Sequence, residues 1–578
     1  MNMKLRQYIT TACISSLAFL AASCLDLEPK DSLSDNNVWN KADNFQLFAN
    51  QFYGWTRDFS SAIGDNVHSD FRSDLVCAST PNIYSQGTNS IPTSDGNYTG
   101  NYTKIYYTNL LLKNAASFGD QAAIATPMGE AYFFRAYCYF ELLQIYGDAI
   151  IVTEPLDTDS EQLYGTQNDR SEVAEQIISD LNRAAELLPE TTSEAGRVNR
   201  YVALAMLSRV ALYEGTWQKF HTNGMNATTN TERSTQLLAT ARDAADEVIK
   251  SNRYKLFYNE TLGDQSYRYM FTLEDGAQCN PANLSKADNT EYIFMRRHRN
   301  GDKTAYNLTH AVCNSTWITR KMANMYLCSD GLPVEKSPKF QQYGSTTSEF
   351  QNRDNRMNNN MLYQGETFWD NEATTCRLSW TDADLERARV AKVYSGSGYQ
   401  NQKYGAERRV DDYYESFDFP LLRYAEVLLN YAEAVYELDG SISDADLDYS
   451  LNLVRLRVNP DMPKLSNGLV TANGLDMREE IRRERTVEFF LEGHRIDDLK
   501  RWCTAEVEMP QDMLGVKWKG VTEFEANWSN TGRSTNADGC LIMYTDRVWN
   551  SRNYLYPLPS DQLQLNPQLK QNPGWGAQ

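Results

Sequence analysis

The sequence predicts a mainly α protein, a solenoid of stacked helix pairs that carries a large loop-rich insertion. Three observations predict it. Residues 129–147, GEAYFFRAYCYFELLQIYG, are apolar on two sides, with Ala131, Phe134, Cys138, Leu142 and Ile145 on one face and Phe133, Tyr137 and Phe140 on another. A helix apolar on two sides is buried between neighbours, as in stacked repeats. Further helical stretches follow at 170–189, 200–215 and 234–251. Helical periodicity then thins between about 254 and 417, where Asn, Gly, Ser and Thr are frequent, and returns at 420–438. The chain thus divides into a leader (1–23), a tether (24–40), an N-terminal helical part (41–253), an insertion (254–417) and a C-terminal helical part (418–578).

Composition agrees with a large core. Of the 578 residues, 41% are hydrophobic and 12% aromatic, which excludes a disordered chain. With 35 Tyr and 11 Trp, the aromatic allotment also suits stacking on sugar rings or forming interfaces. The formal charge is −20 and becomes more negative when Lys4 and Arg6 leave with the leader. An acidic chain without basic clusters is not a nucleic-acid binder.

The leader has a positive start, Lys4 and Arg6, and an uncharged stretch from Tyr8 to Leu20. About 13 residues is too short to cross a bilayer, which needs roughly 20, so this reads as a secretory signal. Leu20-Ala21-Ala22-Ser23-Cys24 resembles a bacterial lipobox, with the aliphatic residue one place further from the cysteine than is usual. That resemblance implies cleavage before Cys24 and acyl chains on Cys24, so that the chain is anchored to a membrane and does not span it. An ordinary signal peptide with an incidental cysteine is the alternative. Asp26 and Glu28 resemble the acidic tether that directs such lipoproteins to the cell surface. With Cys13 removed and Cys24 lipidated, eight of the ten Cys remain. They form no CxxC pair and have no His at zinc-site spacing, so neither a metal nor a cofactor is expected. Cys138, inside an apolar helix, reads as a free core thiol.

Along the mature chain, 42–59 reads as helix, and 60–98 turns to Ser, Asn, Asp, Gly and Thr and reads as loop. A long loop in a compact protein is more often functional than accidental. In 170–189 the predicted N-cap is Ser171 and the stop is Pro189. Small residues Ala203, Ala205 and Ser208 permit close helix approach in 200–215. These pairs look like degenerate tetratricopeptide repeats without a strict period. Residues 443–458 read as one helix; its Asp444, Asp446 and Asp448 mimic a calcium loop. Tyr449 stands where that loop requires Gly and Arg455 where it requires Glu, so the calcium reading fails. Residues 481–502, IRRERTVEFFLEGHRIDDLKRW, read as a charged helix, a break at Gly493 and a second short helix. Opposite charges at i,i+3 and i,i+4 spacing there suit a solvated surface helix or ties between neighbouring helices.

Glu484-Arg485, Glu488, Phe490, Glu492-Gly493, Arg495 and the run from Asp497 to Trp502 closely resemble the C-terminal signature of the SusD/RagB family. The same family's wording recurs at Gly129-Glu130-Ala131, Arg135-Ala136-Tyr137, Asp330-Gly331-Leu332-Pro333, Arg353-Asp354-Asn355-Arg356, Lys403-Tyr404 and the tail from Tyr556 to Trp575. It departs at Ile150, where relatives usually carry proline. The resemblance covers essentially the whole mature chain. It implies a SusD-like fold and a lipoprotein of the outer-membrane surface, anchored through Cys24, that binds a glycan. The implied partner is a SusC-like TonB-dependent transporter, for which the protein would act as lid. Peptide capture, as on the RagB side of the family, and a transporter scaffold with a dispensable pocket are the alternatives. No enzymatic activity is expected, because HExxH, GxSxG and GxxxxGK[ST] are all missing; a glycosidase built on a carboxylate pair, which so acidic a chain could supply, is the rival reading. His494, beside Glu492 and Asp498, reads as a structural hydrogen-bonding residue.

A sugar offers in-plane hydroxyls and an apolar C–H face, so its binder wants an aromatic platform with Asp, Asn and Arg beside it. Two loop regions have that mix. One holds Asp70, Arg72, Asp74 and Tyr84; the other holds Asn314, Trp317, Trp380 and Tyr399, with Arg387 and Arg389 nearby. No firm family motif carries these positions over. A packing role is the competing reading for each Trp, and an internal salt bridge for Arg72 and Asp74.

Overall fold

The computed structural model describes residues 39–576 except 158, 228–229, 277–279, 300–305, 363–395, 407–410 and 529–531, and leaves out the side chains of 310, 314 and 526–528. The leader, Cys24, Trp380, Arg387 and Arg389 lie outside the described residues.

Helix α1 spans Ala42–Ala49 and α2 spans Phe59–Ile63; a 3-10 turn at Asn50–Trp55 separates them, so the stretch expected as one helix is two. Asp58 starts α2 by accepting from the Phe59 N–H. The early loop contains one 3-10 turn, Asp70–Arg72, and strand β1, Val76–Cys77. Helices α3 (Gly96–Ala115), α4 (Ala125–Tyr146), α5 (Arg170–Leu187), α6 (Arg200–Phe220) and α7 (Thr231–Lys250) then stack, each against the next. Both predicted faces of α4 are buried. Asp169, not Ser171, caps α5. Its carboxylate accepts from the Ser171 and Glu172 N–H groups while Glu172 accepts from the Asp169 N–H, which satisfies more orphan donors than Ser171 would alone. Small residues let α6 and α7 touch backbone to side chain: Ser208 Oγ donates to the Ala241 carbonyl at 3.0 Å, and Ser234 Oγ to that of Gly215 at 2.7 Å.

The insertion contributes β2 (Tyr292–Arg296), β3 (Trp317–Ile318), helix α8 (Arg320–Met325) and a short helix at Asn355–Asn360. Strand β4 (Phe419–Arg423) occupies the first residues of the stretch expected as helix; it pairs antiparallel with β2 and is buried along its whole length. Helix α9 (Tyr424–Asp439) packs on α7 and α6. The solenoid therefore runs from α7 directly to α9 in space, and the insertion is spliced between two neighbours.

The helix expected at 443–458 is broken at Ser450, whose hydroxyl donates to the Asp446 carbonyl at 2.6 Å, leaving Asp444–Tyr449 and Leu451–Leu456. Helix α10 (Met477–Glu488) and helix α11 (Arg495–Arg501) flank the predicted break. Gly493 there has φ +74°, and a Cβ on it would lie 3.2 Å from the His68 carbonyl oxygen, so only glycine fits. Strands β5 (Met513–Lys517) and β6 (Cys540–Tyr544) pair antiparallel.

The solvated reading of 481–502 is overturned. Glu484, Arg485, Glu488, Arg495 and Arg501 are all buried. Glu488 accepts from Arg423 at 2.6 Å and Arg356 at 2.9 Å, and Arg423 also reaches Glu291 at 2.8 Å and Glu492 at 2.7 Å. Charges this deep persist only when each is met by partners, which is why a run of them lies between helices here. Cys138 is a buried free thiol, pushed up to about 12 by its burial. Among the described residues no helix is long and apolar enough to cross a membrane.

Candidate functional site

Strand β1 pairs with β3, Val76 opposite Ile318 and Cys77 opposite Trp317, and this brings the two predicted loop regions together. The side chains named from sequence mostly face inward. Asp74 is buried, accepting from Arg495 Nε and Nη2 at 2.8 Å each and from Lys321 Nζ at 2.6 Å. Burial pushes its carboxyl upward, but Arg495 and Lys321 outweigh that and hold it well below the usual range. Arg72 lies 3.4 Å over the Tyr84 ring and donates to Tyr556 Oη at 2.9 Å and Asp65 at 3.0 Å. The internal salt-bridge reading therefore describes both residues, with Asp65 and Arg495 as the partners. Asp70 is fully buried, and burial pushes its carboxyl up to about 7 against the pull of the Leu491, Arg495 and Gly493 amides. Trp317 packs with Cys77 and Met513. Tyr399 is buried, donating to Glu349 at 2.9 Å and accepting from Arg320 at 3.1 Å. Asp70, Arg72, Asp74, Trp317 and Tyr399 thus support the loop face from beneath. The Asn314 side chain and Trp380 lie outside the described residues. His494 lies against the Phe489 ring at 4.8 Å, and burial, with Arg209 and Arg485, holds its imidazole well below its ordinary value.

Beside this support, α8 and the loop after it face the β5–β6 pair across a cleft of 610 Å³. Thr319 sets α8 in place: its hydroxyl caps the helix by accepting from the Met322 N–H and contacts the Asp74 and Leu75 carbonyls at 3.0 Å. Opposite, Val516 N donates to the Ser397 carbonyl at 2.8 Å. A Cβ on Gly515 would lie 2.2 Å from that same oxygen, so glycine allows β5 to pack there. The cleft's aromatic is Tyr343, half-buried, with the Arg320 guanidinium 4.3 Å and the Lys517 ammonium 5.6 Å from its ring centroid. Asn324, Gln511, Glu335, Asp512 and Asp538 supply further polar groups along the walls. Its volume lies in the range of small-molecule sites, and a half-exposed ring with donors and acceptors around it is an arrangement that suits a sugar. Sequence reading missed Tyr343 because it lies in a polar stretch without periodicity, and Lys517 because it is a lone cation ending the apolar run Met513-Leu514-Gly515-Val516. The basic pair Arg320-Lys321, three residues after Trp317, was the available signal. Among the described residues no group of three or more His, Cys, Asp and Glu is placed to hold a metal ion.

A second cavity, of 470 Å³, lies between α3, the loop at 150–164 and the short C-terminal helix Ser560–Leu565. Its lining is rich in Tyr and aliphatic side chains, and Tyr106, Tyr107, Leu163, Tyr164 and Leu565 are exposed there. Phe48 of α1 contacts Tyr107, and Trp39, the first described residue, contacts Phe48.

The chain matches known proteins along most of its length. The family model described as "SusD family" matches residues 264–575, more than half of the chain, and one described as "Starch-binding associating with outer membrane" matches 24–212. SusD-like protein P2 of Formosa agariphila is 24% identical over 485 residues, covering 82% of this chain and 79% of that protein. A SusD-like protein from Bacteroides fragilis superposes with a TM-score of 0.70 at 21% identity, covering 94% of this chain and 99% of that one. A SusD-like carbohydrate binding protein from the same species gives 0.69 at 19% identity, covering 92% and 100%. With that family match over a helical-repeat solenoid and its loop-rich insertion, the chain belongs to the SusD family.

Proposed function

We propose that this protein captures a glycan at the outer-membrane surface, as a lipoprotein anchored through Cys24, and delivers it uncleaved to a SusC-like TonB-dependent transporter for which it is the lid. The observation that carries the glycan reading is the cleft between α8 and the β5–β6 pair, where half-exposed Tyr343 is edged by Arg320 and Lys517 and faced by amides and carboxylates. The outer-membrane and starch-binding description of one matching family, and the carbohydrate-binding description of one structural neighbour, support the same ligand class and location. The docking half of the reading draws on the tyrosine-lined groove beside α3. It exposes apolar surface, and Trp39, the first described residue, reaches it through Phe48 and Tyr107. Exposed apolar patches of this kind mark protein contacts.

The test is a panel of polysaccharides titrated by calorimetry into the soluble protein beginning after Cys24, with product analysis afterwards. Retention of one class without shortened products is expected. Silence across the panel would sink the glycan reading and favour peptide capture or a scaffold role, and shortened products would make the protein an enzyme. For the transporter half, the expected outcome is co-purification of a TonB-dependent transporter from detergent-solubilised membranes, abolished by Tyr107→Glu.

A further inference from the structure

The charges lining the cleft are not equivalent. Of the four cations that line it among the described residues, three are already paired from behind. Lys321 is met by Asp74 at 2.6 Å and by Glu508, Arg483 by Glu480 at 3.3 Å, and Arg320 by Glu349 at 4.0 Å, while Arg320 also donates to the Tyr399 hydroxyl. The fourth, Lys517, makes no ion pair among the described residues. Against it stand Glu335, Asp512 and Asp538, all exposed, lining the cleft and without an ion pair among the described residues. Arg547, whose field reaches Asp512, is buried and gives its N–H groups to the Gln511 and Ser73 carbonyls and other buried groups. Among the described residues, one uncompensated cation and three uncompensated carboxylates therefore line the cleft, within a chain whose formal charge is −20. An anionic ligand entering this cleft meets like charge on the walls, and like-charge juxtaposition suppresses the wrong partner. A neutral sugar meets none of that repulsion, and the same carboxylates accept hydrogen bonds from its hydroxyls.

We infer that the cleft selects uncharged glycans and rejects those carrying carboxylate or sulfate groups. This rests on the glycan-capture reading and adds the charge class of the substrate to it. The experiment takes the polysaccharide that the panel identifies and compares its carboxymethylated derivative with the methyl ester of that derivative, which has the same bulk without the charge. The charged form is expected to bind at least about tenfold more weakly at low salt, with the gap narrowing as salt screens the walls. In the triple variant Glu335→Gln, Asp512→Asn, Asp538→Asn, the ratio of ester to acid affinity is expected to fall to within about threefold. Each protein's own ester affinity is the reference, so a weaker grip on the sugar hydroxyls after the carboxylates are replaced affects both forms alike and cancels in the ratio. Equal or tighter binding of the charged form by the unmodified protein overturns the inference and leaves glycan capture standing. A triple variant that keeps the tenfold gap also overturns it, since the selectivity would then lie elsewhere. Binding of no polysaccharide at all overturns glycan capture, and the inference with it.

Discussion

Arg423 and Lys517 are both cations within reach of an aromatic ring, and the protein uses them in opposite ways. Arg423 lies 4.5 Å from the Phe489 ring, sealed from solvent, with three carboxylates, Glu291, Glu488 and Glu492, within 2.8 Å. Lys517 lies 5.6 Å from Tyr343 at an open cleft, with no ion pair among the described residues. A desolvated charge has to be saturated by the fold, and once saturated it is structural. A charge left unsaturated beside solvent keeps its hydrogen bonds available for a ligand. Both regions place a cation near an aromatic ring in reach of carboxylates, so burial and pairing separate framework from site.

Four changes test that division. Arg423→Ala should have the largest effect, leaving buried carboxylates without their cation and destabilising the fold by about 3–5 kcal/mol in denaturant unfolding. An unfolding midpoint equal to that of the parent protein would dissolve the distinction. Asp74→Asn should cost about 3 kcal/mol in denaturant unfolding, since it strips buried Arg495 of its charged partner.

Acid should weaken the buried region. Burial pushes the Glu433 and Glu488 carboxyls upward, but Arg501 for the first and Arg457 with Arg423 for the second prevail and hold each down at about 2, against an ordinary 4.5. Folding lowers these values, so their stabilisation is complete above the ordinary value and disappears as pH falls through the folded one. Denaturant midpoints should therefore drop between about pH 5 and pH 2. A flat profile across that window would contradict the assignment. The smallest effect belongs to the cleft. Tyr343→Ala should lower glycan affinity by about three- to tenfold by calorimetry while leaving the thermal midpoint unchanged. A matching loss of stability would make Tyr343 part of the framework.

Much of the solenoid was legible because a helix's burial is written within one turn of its own sequence. The two apolar faces of 129–147 gave α4, and the small residues Ala203, Ala205 and Ser208 gave the close approach of α6 to α7. Errors came where a local signal competed with a distant one. Pro420 begins a stretch with helical periodicity, yet Phe419–Arg423 is a strand, because pairing with β2 sets its course. The site was less legible. Asp70, Arg72 and Asp74 have the composition of a sugar-binding loop, but partners that hold Arg72 and Asp74 inward lie far along the chain. Asp74 and Arg495 are 421 residues apart, and Arg72 and Tyr556 are 484 apart.

By itself, the sequence determined the periodic helices, the glycine at the break before α11, the charge-rich C-terminal stretch and the family to which they belong. Each depends on residues a few positions apart, where backbone geometry alone brings side chains together. Only the tertiary structure decided which charges are buried against partners and which line a cleft. A side chain's dielectric surroundings depend on segments that meet only on folding.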